Sequence, residues 1–169
     1  MRLAGGSEVE GDVILVAGGV EPNAAIARYA GLAVEDNRIV VDAQMRTSRP
    51  GVLAAGDVAL AFNAGAGRRL SVEHWGEALA MGRVAGATAA GRDASWAEVP
   101  GFWSTIGDRT LKYAAWGDGF DRAGLVDHHN GSFTVWYGQA GVTVGVLTHD
   151  ADDDYEQGRA RIEARQPLP

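Results

Sequence analysis

The chain has 169 residues, 46% hydrophobic and 22% charged, with a formal net charge of -7 at pH 7, which suits one compact domain or two small ones. The acidic balance disfavours a nucleic-acid binder, which needs a phosphate-neutralising surface, and no run approaches the length of about eighteen apolar residues that a membrane helix needs. Zero cysteines exclude a disulfide framework, a thiolate metal site and a redox-active cysteine pair, so any redox chemistry must belong to a bound cofactor.

Residues 1–12 hold a hairpin signal at Gly5-Gly6-Ser7, and residues 13–17 read as a buried strand that Gly18-Gly19 breaks. Nothing at Met1-Arg2 resembles a signal or transit segment, so a cytoplasmic protein is expected. Pro22 presets a turn and Asn23 can cap, which predicts a short helix over 24–31 with Ile26 and Tyr29 inward and Gly31 as terminator. A strand-Gly-Gly-helix junction can offer N–H groups to phosphate. Here the third glycine of GxGxxG is missing and Pro22 removes a donor, so phosphate binding is not expected.

Residues 38–41 read as a strand, and 42–50 as a polar connection into a second buried strand, 52–55, which delivers Gly56 and Asp57 at its carboxyl edge. In open α/β sheets ligands bind beyond that edge, where Asp57 can accept hydrogen bonds and Gly56 lets a backbone come close. Gly-Asp equally reads as a turn after a strand. Residues 61–69 are expected as a loop whose GxG is too short for a fingerprint.

The longest helix is expected over 72–90, with Ser71 as N-cap and Leu79, Met81 and Val84 among alanines and glycines. Each glycine costs about 1 kcal/mol relative to alanine, so a close packing partner is expected. Glu73, His74 and Trp75 crowd the helix start, where N–H groups and the positive dipole end can face an electron-rich ring edge. Alone, His74 reads as structural and Trp75 as core.

Residues 91–100 read as a domain boundary. Short β-rich runs follow at 111–116, 125–129, 133–137 and 142–147, with turns at Gly117-Asp118-Gly119, Asn130-Gly131 and Ala140-Gly141, which predict a small antiparallel sheet. A helix over 152–164 starts with Asp152, Asp153, Asp154 and Glu156 and ends with arginines, matching the macrodipole. The same acids approach the spacing of a calcium loop, but Gly158 falls one place too late, and capping is the better reading. His128 and His129 alternate across a strand end and do not share a metal. Asn130-Gly131-Ser132 matches a glycosylation acceptor formally, and the Asn-Gly turn explains it.

Three stretches carry a family resemblance: residues 13–23, VILVAGGVEPN; residues 47–57, TSRPGVLAAGD; and residues 72–82, VEHWGEALAMG. With Phe102-Trp103-Ser104, they resemble the C-terminal part of the ferredoxin reductases of the pyridine nucleotide-disulfide oxidoreductase superfamily, which also contains rubredoxin reductase and apoptosis-inducing factor. The resemblance implies an α/β part followed by an α+β part: the C-terminal end of an NAD/FAD-binding, partly Rossmann-like region over 1–95, and a reductase C-terminal domain over 96–169. It implies FAD as cofactor and NAD(P)H as co-substrate. It places Gly56, Asp57 and Val58 on the ribityl and pyrophosphate portion, and Glu73, His74, Trp75 and Trp103 near the isoalloxazine. No side chain is assigned a catalytic role and none a metal, because the flavin carries the electrons.

The family's two GxGxxG turns do not occur in these residues, so the 169 residues alone are expected to bind flavin weakly or not at all and not to turn over a pyridine nucleotide. One expectation is therefore the C-terminal segment of a reductase passing electrons to a ferredoxin-like carrier, with a separate N-terminal half or a homo-oligomer as further partners. The other is a non-catalytic α+β interaction module derived from such a reductase. Arg46, Arg49, Arg68 and Arg69 flank the expected flavin edge in sequence, where they read either as a docking patch for an acidic carrier or as solvated arginines.

Overall fold

The computed structural model describes residues 1–169 and contains three helices and nine strands in two small sheets. The first residues form their hairpin and little else: Arg2 bridges Glu8, and the Val9 N–H donates to the Met1 carbonyl at 2.8 Å. Residues 13–17 make no strand. Their backbone has no hydrogen-bonded partner in the chain, and Val13, Leu15 and Val16 are 87, 88 and 84% exposed. The apolar run was expected to be buried, but no neighbouring strand exists here to take up its N–H and C=O groups.

Helix α1 (Ala25–Tyr29) is one short turn, with the Ala25 N–H donating to Asn23 Oδ1 at 3.2 Å and Gly31 beyond it at φ +75°. Its orientation differs from expectation. Ala24 and Ala27 are buried while Ile26 and Tyr29 are exposed; the buried positions lie three apart, one helical turn, and are occupied by the smallest side chains.

The first sheet has the order β1-β2-β3-β4, from β1 (Val34–Glu35), β2 (Arg38–Val41), β3 (Ala59–Asn63) and β4 (Arg68–Leu70). β2 and β3 are parallel, with Ile39 opposite Ala59; β1 and β4 are antiparallel edges. The strand expected over 52–55 is displaced. Leu53 makes one isolated bridge to Arg46, and the ladder begins only after Gly56, at φ +77°, has turned the chain and the Ala59 N–H has bonded the Gly56 carbonyl at 2.8 Å. The expected loop over 61–69 is instead the β3–β4 hairpin, in which Asn63 accepts the Ala66 N–H at 2.9 Å.

Helix α2 (Trp75–Ala89) starts later than expected, because His74, extended at φ −149° and ψ 133°, is the N-cap and Ser71 is not. It sends Met81 into a core with Val41, Met45, Ala59, Ala61, Leu70 and Trp96. Each large apolar side chain buried there contributes about 1.5–3 kcal/mol of transfer free energy.

The second sheet is antiparallel throughout and has the order β5-β6-β9-β8-β7. Its strands are β5 (Gly101–Ile106), β6 (Arg109–Ala115), β7 (Arg122–Asp127), β8 (Phe133–Gln139) and β9 (Val142–His149), and β5 is one the sequence reading did not mark. Helix α3 (Asp152–Glu163) covers one face, closing a core of Val99, Ala114, Trp136, Val146 and Ile162. On the other face Phe102, Tyr113, Leu147, Val135 and Leu125 stand in one row across all five strands.

The segment between the sheets is packed rather than loose. Trp96 and Val99 are buried, the Trp96 N–H bonds the Ala43 carbonyl at 2.8 Å, and the Ala64 N–H bonds the Trp96 carbonyl at 2.9 Å. Arg68 adds a second tie, pairing with Asp118 and donating to the Trp116 carbonyl at 2.9 Å. No helix is long and apolar enough to cross a membrane.

Candidate functional site at the start of helix α2

Four of the seven residues singled out from the sequence converge at the α2 N-terminus. His74 lies 5.0 Å from Phe102 and 6.4 Å from Trp103 between ring centroids, and Trp75 meets Trp103 edge to face at 5.8 Å. Trp75 and Trp103 remain 68 and 51% exposed, so this aromatic pair is not core. Glu73 immediately precedes the N-cap and is paired with Arg38 of β2. That ion pair has no signal in the sequence, since a strand residue and a helix-start residue meet only through the fold.

Gly56 belongs to the same neighbourhood: a Cβ built on it would lie 3.4 Å from the Ala78 Cβ in the first turn of α2. Asp57 follows it in the turn that leads to β3, and its carboxylate has no hydrogen bond or ion pair within the chain. Val58 is held through its carbonyl, which accepts the Ile39 N–H at 2.7 Å. Gly56, Asp57 and Val58 therefore lie on the turn that faces the helix start, while Glu73, His74, Trp75 and Trp103 form the aromatic and charged cluster on it.

Two observations bear on whether a flat ligand fits. The α2 N-terminus has no side-chain cap, so its first N–H groups are free to meet an electron-rich edge. His74 Nδ1 and Arg38 Nε are buried without a hydrogen-bond partner, and both belong to the residues that frame the helix start. Buried polar atoms are ordinarily satisfied. Buried as they are, these two nitrogens are covered by protein; the uncapped helix start and the exposed tryptophans are what a planar, electron-rich group would meet.

Behind His74 and Phe102 a cavity of about 410 Å³ opens between the sheets, with Arg68, Arg69, Tyr113 and Trp116 in its wall. Burial pushes the Tyr113 hydroxyl above its ordinary value of 10.0, and neighbouring Tyr137 adds to the shift. Arg46 and Arg49 line a different groove, of about 610 Å³, beside Asp42 and Thr88. The four arginines that the sequence places around one edge thus line two separate openings.

Sequence reasoning missed Glu77. It is buried, and its carboxylate accepts the Trp96 indole N–H at 3.0 Å and the Gly101 N–H at 3.2 Å. It thereby joins α2 to the segment between the sheets and to the first residue of β5. An acid on the inward side of an alanine- and glycine-rich helix was the available signal.

Comparison with known proteins adds a separate line. The model of the pyridine nucleotide-disulphide oxidoreductase family matches residues 1–82. The ferredoxin–NAD(+) reductase component of the anthranilate 1,2-dioxygenase system of Burkholderia cepacia is 39% identical over 130 residues, 76% of this chain and 32% of that protein. The crystal structure of a ferredoxin reductase from Rhodopseudomonas palustris superposes with a TM-score of 0.87 at 30% identity, over 98% of this chain and 41% of that one. A covalent putidaredoxin reductase–putidaredoxin complex matches with a TM-score of 0.84 at 28% identity, over 97% of this chain and 39% of that one. The 169 residues thus span about a third to two fifths of the length of these relatives.

Proposed function

This chain belongs to the pyridine nucleotide-disulphide oxidoreductase family, and from that premise we propose that it is the C-terminal segment of a flavoprotein reductase. The complete protein passes electrons from NAD(P)H through FAD to a ferredoxin-like iron-sulfur carrier. When bound, FAD supplies the conversion of a hydride from the nicotinamide into single electrons for the carrier. With no cysteine in these residues, a disulfide relay has no place in this part of the molecule.

The observation that carries the reading is the cluster on α2: an uncapped helix start and the exposed Trp75–Trp103 pair. In this reading the helix N–H groups stabilise negative charge on the pyrimidine edge of the flavin. The Trp75–Trp103 pair would pack beside the ring and shield it from water, with His74 holding Phe102 and Trp103 in place behind it. Asp57, with Gly56 and Val58, accepts hydrogen bonds from the ribityl chain. Residues 1–95 act as the end of a Rossmann-like NAD/FAD-binding region, and 96–169 as a reductase C-terminal domain. The two nucleotide grips lie outside these residues, which makes a separate N-terminal half the natural partner for reconstitution. We place the protein in the cytoplasm.

The test adds FAD to the purified chain, alone and together with the glycine-rich nucleotide-binding part of the Rhodopseudomonas palustris reductase produced as a second polypeptide. A yellow complex that survives gel filtration, quenches tryptophan fluorescence and is lost in Asp57→Ala is expected. Tryptophans that stay unquenched at saturating FAD with both polypeptides present would overturn the reading in favour of a module without flavin chemistry.

A further inference from the structure

The β7–β8 connection contains Asn130-Gly131, the sole Asn-Gly pair in the sequence; Asn23, Asn37 and Asn63 are followed by Ala24, Arg38 and Ala64. An Asx turn accounts for the bond from the Ser132 N–H but not for a second donor on the same oxygen. Asn130 Oδ1 accepts two hydrogen bonds from one residue, the Ser132 N–H at 2.9 Å and the Ser132 hydroxyl at 2.7 Å. The Asn130 amide nitrogen and the Gly131 backbone N–H donate to nothing in the chain. Gly131 sits at φ +91°, and a Cβ built on it would meet nothing within 4 Å.

From these features we propose that Asn130 is a site of spontaneous deamidation in the folded protein, with Ser132 as the activating residue. In the first step the Gly131 nitrogen attacks the Asn130 side-chain carbonyl carbon. A nitrogen–carbon bond forms, the Gly131 proton passes to solvent base, and the amide nitrogen takes up a proton and leaves as ammonia. Water then opens the cyclic imide at either carbonyl to give aspartate or isoaspartate, so one water is consumed per ammonia released and no electron is transferred.

Each part of the geometry serves that step. Negative charge develops on Oδ1 as the nitrogen adds, and two preorganised donors pointed at that oxygen stabilise it. The attacking nitrogen is not engaged in a hydrogen bond that would have to break. The leaving nitrogen is equally unencumbered, and the absence of a Cβ on Gly131 leaves the approach open.

The product has a defined place to act. Asn130 and Ser132 line a cavity of about 350 Å³ with His128, Asp150, Asp152, Asp153 and Asp154, so deamidation adds a carboxylate to a rim that is already acidic. The same rim holds the hairpin to α3: Thr134 donates to Asp154 at 2.5 Å, and His128 Nε2 lies 3.1 Å from Thr134 Oγ1 and 3.3 Å from Asp154. The isoaspartate product inserts a methylene into the main chain inside the turn closed by the His128 N–H and the Ser132 carbonyl at 3.2 Å. Modification therefore loosens the end of the hairpin from the start of α3.

The experiment incubates the full chain at mildly alkaline pH in oxygen-18 water and follows the peptide containing Asn130 by mass spectrometry, in native buffer and in urea. The expected result is oxygen-18 incorporation at Asn130 alone, at a native rate no lower than that of the unfolded chain. In native buffer Ser132→Ala is expected to slow the reaction about fivefold and Ser132→Thr, which keeps the hydroxyl, to preserve it. Asn130→Gln is expected to abolish it. A native rate below the unfolded one, or a Ser132→Ala rate equal to or above that of the parent, would overturn the assignment, because Ser132 would then restrain the side chain rather than activate it. Circular dichroism of each variant separates these outcomes from unfolding, with Ser132→Thr deciding the matter where Ser132→Ala is not folded.

Discussion

At the scale of single residues, Glu77 combines most consequences in one side chain. Its two hydrogen bonds reach a buried indole and the first backbone N–H of β5. Replacing Glu77 by alanine leaves both donors without an acceptor, and the expected cost is about 3 kcal/mol of unfolding free energy. Glu77→Gln keeps one carbonyl oxygen and is expected to recover about half of that. Urea denaturation followed by far-ultraviolet circular dichroism measures both; an alanine variant within about 0.5 kcal/mol of the parent would mean that water replaces the carboxylate. The role of Glu77 was not legible in the sequence, because its partners, Trp96 and Gly101, are brought to it by a chain reversal after α2. That Trp75 and Trp103 lie near one another was legible only through the family resemblance. Their exposed edge-to-face pairing reverses the core assignment that tryptophans receive by default.

At the scale of elements, turn chemistry was the most readable feature. Asn130-Gly131 and Ala140-Gly141 fall between β7, β8 and β9, where the expected hairpin turns lie, and α3 carries its acids at the start as expected. Failures came where tertiary neighbours decide. Residues 13–17 have the composition of a strand and no sheet to join, whereas β3 is an alanine-rich stretch that becomes a strand by pairing in parallel with β2. Helix α3 yields the second quantitative expectation. A Cβ on Gly158 would lie 2.4 Å from Val146 Cγ1 and 2.6 Å from Val146 Cβ. Alanine favours helix over glycine by about 1 kcal/mol, yet overpacking costs about 1–3 kcal/mol, so Gly158→Ala is expected to destabilise. Val146→Ala removes the two γ-methyl contacts and leaves the one with its Cβ at 2.6 Å, so it relieves the clash in part. The double variant is expected to be more stable than the sum of the two single losses by about 1 kcal/mol in a double-mutant cycle, and strict additivity would show that α3 shifts away instead.

At the scale of the whole molecule, the two cores are joined through Trp96, Glu77 and Arg68, while residues 1–20 stand apart from both. Their hydrogen bonds stay within the hairpin of the first nine residues. Removing residues 1–20 is therefore expected to leave the unfolding free energy, measured by urea denaturation, unchanged to within about 0.5 kcal/mol. A loss above about 1 kcal/mol would mean that the apolar segment packs on the chain in solution. The order of elements has a consequence of its own for biosynthesis. Val146 and Trp136 present their apolar face to α3, which follows all five strands in the chain. As the polypeptide emerges from the ribosome, the sheet can pair its strands before the helix that seals it has left the exit tunnel. For that interval the nascent protein offers an open greasy face, and its safe maturation depends on how soon that helix arrives or on a chaperone that holds the face meanwhile.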